Sequence, residues 1–289
     1  MDPNRYGKAM DAVGTLSRLT RIEIHKFWRK STALVVLAFM FVGPILGEAV
    51  LAGFSIRDAT FPQITQFMFS SDMLMMIALM TVVISVMALG NDYELGTVSV
   101  ILSRGVERYQ FIFSKIIATV CAALTNGFVF MIAAFASTFV VHITYSDVPF
   151  IEAAGGDIVW RLLGATGVIG LVNFVLSGVV MLALVLGRSS WVGMLAGLGY
   201  FFGDFIVGGL GSGSVLGVND AYRHTVVYHA ISINEQFFPS DPSVSLPRAW
   251  IEDGFATPLS AVLVLFLYGL ALAAISVLLF RRQDLTTKT

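Results

Sequence analysis

The stretch Leu162–Leu186, LLGATGVIGLVNFVLSGVVMLALVL, runs for 25 residues without a charged side chain. As a helix it is about 37 Å long, enough to cross the roughly 30 Å hydrocarbon core of a bilayer. Five more apolar runs are of the same kind: Ala33–Phe54, Met73–Leu89, Ile116–Val141, Trp191–Leu210 and Pro258–Phe280. The second has 17 residues and is short, with Gly90 or an earlier start at Phe67 available to lengthen it. Helices are expected throughout, because backbone exposed to lipid must satisfy its own hydrogen bonds and the alternation of barrel strands is absent. Composition agrees. Of the 289 residues 56% are hydrophobic and 13% charged, against about 25% charged in a soluble domain. Mean hydropathy is +0.82. The expected class is an all-α polytopic membrane protein with six transmembrane helices.

The charges orient the chain. With the N-terminus inside, 14 basic residues fall in cytoplasmic segments and four (Arg57, Arg161, Arg223 and Arg248) outside. By the positive-inside rule both termini are then cytoplasmic. Residues 1–32 are expected to form a cytoplasmic amphipathic segment. In it Leu16, Leu19 and Phe27 lie on one side and Arg18, Arg21, His25 and Arg29 on the other, as in a helix lying in the membrane interface. The basic stretch is too long for a secretory signal, and no small-residue cleavage site follows the apolar run. Residues 33–289 form the membrane domain, with a cytoplasmic loop at 91–115 and an outer segment at 211–257 too apolar for a free linker, expected to re-enter or cap the bilayer. Net charge is −1, which gives no case for nucleic acid. Cys121, in an apolar run, reads as a small buried hydrophobe.

The loop at 91–115 is the most informative stretch. Glu94-Leu-Gly96-Thr97 is a break with Thr97 as a potential cap, Val98–Leu102 a short apolar turn, and Ser103-Arg104-Gly105 its end. Val106-Glu107-Arg108 then leads towards Lys115 and the third span. A short helix between two glycines, outside the bilayer, has apolar residues to bury and no core of its own. It needs a partner surface or the underside of its own bundle.

The run Glu94-x-Gly96-Thr97, Ile101-Leu102-Ser103-Arg104-Gly105-Val106-x-Arg108 and Lys115 resembles the coupling-loop signature of ABC type-2 transporter permeases. The N-terminal helix with Glu23 and Lys26, the six spans, the long last outer loop and the closing Phe280-Arg281-Arg282-x-Asp284-Leu285 extend the resemblance. Gly105 stands where many members carry proline, and Glu107-Arg108 where many have Ser-Arg, which leaves the subfamily open. The resemblance implies a permease subunit of the bacterial plasma membrane that binds no cofactor itself and works with a second permease copy. ATP and Mg²⁺ would sit on a separate P-loop ATPase subunit. Glu94, Gly96, Thr97, Val98, Ile101, Leu102, Arg104 and Arg108 would then meet that subunit, the apolar turn in a groove and the arginines on acidic groups. Independently, none of the five lysines (Lys8, Lys26, Lys30, Lys115 and Lys288) falls in a phosphate-cradling Gly-x-x-x-x-Gly-Lys-Ser/Thr loop.

Glu48, four residues beyond Pro44, and Asp204 are acids within spans. Each reads either as an interface residue or as part of a translocation pathway. If they titrate, an ion-coupled secondary transporter is the alternative; a membrane hydrolase or scaffold is a weaker one, resting on Gly211-Ser212-Gly213-Ser214 without a matched base. His25, His142, His224 and His229 lack metal-ligand spacing. Gly193-x-x-x-Gly197 and the series Gly164, Gly167 and Gly170 allow close helix approach, inside the bundle or at a dimer seam.

Overall fold

The computed structural model describes residues 3–54, 71–145, 157–210, 221–237 and 256–283. All the regular structure among them is helical: α1 (Pro3–Trp28), α2 (Ser31–Phe54), α3 (Ser71–Glu94), the short α4 (Thr97–Ser103), α5 (Arg108–Tyr145), α6 (Ile158–Gly187), α7 (Ser190–Leu210), a 3-10 turn (Ala221–His224), α8 (Val226–Phe237) and α9 (Pro258–Arg282). Among the described residues four stretches, Arg108–Thr144, Ile158–Gly187, Ser190–Gly208 and Pro258–Arg282, are long and apolar enough to cross a membrane. A fifth is counted if Gly14–Trp28 and Ala33–Leu46, bent by 68°, make one broken span. The Met73–Leu89 run lies on α3 as one unbroken helix.

The helices outrun the apolar runs that announced them. α5 begins at Arg108, eight residues before Ile116, and α3 continues to Glu94. Hydropathy marks only the lipid-immersed part, whereas backbone hydrogen bonding continues until a residue breaks it. Near the other end of the chain the break is chemical: Pro258 opens α9 without needing a backbone donor, and Thr257 accepts the Ser260 amide.

α6 is the most buried of these helices and packs on α3, α5, α7, α8 and α9. Small residues let the backbones close. A Cβ at Gly178 would come within 2.8 Å of Leu272 on α9, and one at Gly170 within 2.5 Å of Leu124 on α5. Gly193 and Gly197 face Leu184 and Val180 of α6, with Val82 of α3 also against Gly197. The Gly193-x-x-x-Gly197 pair therefore serves packing inside the chain. Polar side chains fasten the same core: Thr81 donates to Asn173 Oδ1 (2.5 Å) and Ser85 to Ser177 (3.1 Å), all four fully buried between α3 and α6. In lipid such bonds hold helices that no hydrophobic effect drives together.

Of the segment 211–257, the 3-10 turn and α8 are described, while 211–220 and 238–255, including the Gly211-Ser212-Gly213-Ser214 run, lie outside the described residues. α8 is buried along Val226 and Tyr228–Asn234 and packs on α6 and α9, so this part of the segment is no free linker. Phe237 at its end lies against Gly164, where any side chain would meet the ring at 2.2 Å.

Candidate functional site

α4 is defined by glycines. Gly96 (φ +65°) and Gly105 (φ +85°) both take the left-handed backbone that only glycine adopts without strain, and between them the chain has room for two turns of helix. Thr97 does not cap this helix, as its sequence position suggested. The capping position is Gly96, with no side-chain bond, and Thr97 Oγ1 instead donates to Asp92 Oδ1 (3.0 Å). α4 has two faces. Val98 is buried, and Ile101 and Leu102 pack with it on a core of Leu89, Phe111, Ile112, Ile116 and Phe280. Val100 of α4 (50% exposed) and Leu95 (74%), in the turn before Gly96, point away from the bundle beside the exposed Glu94, Ser99, Ser103 and Arg104. Thus the apolar turn fills the underside of its own bundle, and what it offers outward is a different set of side chains.

Behind α4 lies a buried charge cluster. Lys115, on α5, has no solvent exposure, and its ammonium donates to Glu23 Oε2 of α1 (2.5 Å) and to Asp92 Oδ2 of α3. Lys26 of α1 donates to the other Asp92 oxygen (2.7 Å), where Thr97 also bonds. Lys30, at the α1–α2 bend, donates to the Met87 carbonyl (3.1 Å). Asp92, 2% exposed, is therefore the hub that joins α1, α3, α4 and α5. Burial alone would push its carboxyl up, but Lys115 and Lys26 outweigh that and hold it below its ordinary 3.8. Burial works against the Lys26 ammonium too, yet Asp92 and Glu23 raise it above 10.5. For Lys30 burial and the neighbouring Lys26 prevail and lower it.

These directions fix a pH window. A depressed carboxylate contributes stability that is complete above its unfolded value and lost as pH falls through its folded one; a raised ammonium contributes below its unfolded value and loses it as pH rises through its folded one. The difference in unfolding midpoint between the wild-type chain and Asp92→Asn is therefore expected to stay constant from about pH 5 to about pH 9 and to shrink only below about pH 4. Thermal unfolding in detergent across that range checks it.

Arg108 is engaged inside the chain. Its guanidinium donates to the carbonyls of Arg281 (3.0 Å) and Gln283 (2.5 Å) at the end of α9, where a cation also meets the negative pole of the helix. Gln283 in turn bonds Val185 of α6 and accepts from Tyr93 of α3. Arg104 is exposed and makes no ion pair with the described residues. Of the residues singled out in the sequence, Thr97, Val98, Ile101 and Leu102 are brought onto the bundle, Arg108 onto α9, and Glu94, Gly96 and Arg104 left at the surface.

Asp204 is far from this end of the fold in role. Its two oxygens accept the backbone N–H groups of Val226 and Val227, each at 2.9 Å, and so cap the first turn of α8. Asp204→Ala should weaken the chain by about 1–2 kcal/mol, with Asp204→Asn costing less, measured by detergent unfolding. Glu48 lies on α2 beyond Pro44; its side chain is outside the described residues.

The residues that sequence reading left without a role are Asp92, Lys115, Glu23 and Lys26. A signal existed: Thr81, Ser85 and Asp92 share one helical face of α3, and Lys115, Thr119 and Asn126 share one of α5, all 0–2% exposed. Leu95 carried no comparable mark. No curated protein matches the chain. The family model described as ABC-2 family transporter protein matches residues 19–204, from α1 through the α4 loop and the charge cluster to Asp204. That is most of the chain, and the protein belongs to the ABC-2 family of membrane transport proteins.

Proposed function

We propose that the chain is the membrane-spanning permease subunit of an ABC exporter, working as a dimer of permease chains with a separate P-loop ATPase on each. In this reading α2, α3, α5, α6, α7 and α9 are six spans, both termini are cytoplasmic, and 211–257 lies outside. ATP and Mg²⁺ belong to the ATPase subunits. The observation that carries the reading is the family match spanning α4 together with the shape of this loop: two glycine breaks, one face of α4 anchored in the bundle, the other presenting Val100, with Glu94 and Leu95 exposed just before the first break and Arg104 at the helix end. Such a face is apolar at its centre and charged at its rim, as docking surfaces are.

The mechanism follows from rigidity. Closure of the ATPase subunits on ATP presses α4. Its inward face is packed on α3 and α5, and Thr97 is bonded to Asp92, so the push reaches both helices and, through Lys26 and Lys115, α1. The spans then separate at the interface between two permease chains. The work comes from differential binding of nucleotide to two conformations, not from covalent chemistry on this chain. The ion-coupled alternative would rest on Glu48, because both Asp204 oxygens hold α8.

Affinity capture of the tagged chain from native membranes tests this. An ATPase is expected in the eluate, retained through washing and lost when Glu94 and Arg104 are both replaced by alanine. A single-chain eluate without ATP hydrolysis would overturn the reading.

A further inference from the structure

Arg18, Arg21, His25 and Arg29 are spaced three, four and four residues apart, which puts them on one face of α1, and all four are exposed. The opposite face carries Glu23 and Phe27 into the bundle, where Lys115 holds Glu23, and Lys26, 41% exposed at the edge between the two faces, reaches Asp92. α1 is thereby clamped against rolling about its axis, and the cationic face is fixed outward. Among the described residues it has no counterion: Glu23 is the one acid between residues 14 and 30, and it belongs to Lys115 and Lys26.

Depth comes from the bend. Leu34 and Val35, on α2, are 60% and 65% exposed; on a span such side chains face hydrocarbon. Arg29 precedes Leu34 by five residues, so it lies within about 8 Å of that level along the helix. From Arg29 back to Arg18 α1 travels about 16 Å, and at 68° to α2 only about 6 Å of this is along the span. The headgroup layer is itself about 5–8 Å thick on each side of the core. The row therefore starts at headgroup depth at Arg29 and rises slowly, so that even Arg18 stays within about 14 Å of the Leu34 level. Ile22, 53% exposed, and the half-buried Trp28 flank the cations, so the face offers apolar contact beside positive charge.

The geometry points to a site for the phosphate of an anionic phospholipid on the Arg18–Arg21–His25–Arg29 face of α1. This goes beyond the permease reading and shares with it only that α2 spans the membrane. Such a lipid would neutralise these cations and fasten α1, and with it the cluster around Asp92, to the membrane plane.

The full chain, purified in neutral detergent, is titrated with phosphatidylglycerol or phosphatidylcholine, and bound lipids are counted by native mass spectrometry. Phosphatidylglycerol is expected to bind tighter. Arg21→Gln/Arg29→Gln should lose roughly twenty-five-fold in its affinity, about a factor of five per arginine, while the unfolding midpoint without lipid is unchanged. Arg21→Lys/Arg29→Lys should keep most of the preference. Equal binding of the two lipids by the wild-type chain, or an undiminished preference in the glutamine variant, overturns the proposal. Complete displacement of phosphatidylglycerol by millimolar inorganic phosphate also overturns it, since the site would then take free phosphate. So does a glutamine variant that keeps the lipid preference but no longer captures an ATPase, because the face would then belong to that partner. Absence of any ATPase from the wild-type eluate counts against the permease reading alone and leaves the lipid titration as informative as before.

Discussion

Lys115→Met is expected to destabilise the chain by about 3–5 kcal/mol, the usual consequence of leaving buried charge unpaired. The ammonium removed has no solvent exposure and is the shared donor of Glu23 and Asp92, which are 12% and 2% exposed at the side chain. Without it, Asp92 keeps Lys26 and Thr97 on one oxygen and nothing on the other, and Glu23 keeps only a 3.9 Å contact with Lys26. Desolvation that the cluster had offset then stands uncovered. The same logic predicts recovery when the charges go together: Glu23→Gln/Asp92→Asn/Lys115→Met should regain most of the lost stability, because a neutral buried set needs no compensating charge. Unfolding in mixed micelles, followed by helical circular dichroism, measures both. A triple variant weaker than Lys115→Met would mean that the three side chains do not act as one electrostatic unit.

The cluster also shows where the sequence stopped being readable. Spans were legible because lipid leaves a long composition signal: Leu162–Leu186 lies inside α6 and Pro258–Phe280 inside α9. The glycine breaks around α4 were legible because Gly96 and Gly105 are local requirements of the backbone. Asp92 was not, because its partners come from 66 residues upstream and 23 downstream, and no local pattern encodes which lysine meets which carboxylate. Arg108 is similar: by sequence an interface cation, in the fold a cap on a helix 172 residues away. Asp204 reads locally as an intramembrane acid and becomes a helix cap only once α8 is folded against α7. Composition finds what lipid demands; side-chain assignments between distant helices need the packing.

The largest functional effect is expected at the outward face of α4 and the Leu95 turn before it, and the inward face of α4 provides the control. Val100 and Leu95 are exposed apolar side chains on a surface that, in the permease reading, meets the ATPase; Val98, two residues from Val100, is 3% exposed and packed among Leu89, Phe111 and Ile116. Leu95→Asp/Val100→Asp puts two charges where an apolar contact is desolvated. Losses above 2 kcal/mol are typical of such central positions, so capture of the ATPase should fall by about thirtyfold or more. Both side chains already face away from the bundle, so the unfolding midpoint of the chain alone should hardly move. Val98→Ala should do the reverse, costing about 1–3 kcal/mol of stability through lost burial and the cavity left behind, while ATPase capture persists wherever the fold does. Pull-down and unfolding on the same preparations separate the two. Undiminished capture by the double aspartate variant would place the docking surface away from α4. Lost capture in a Val98→Ala chain of unchanged stability would mean that α4 turns over to present its buried face when the ATPase binds.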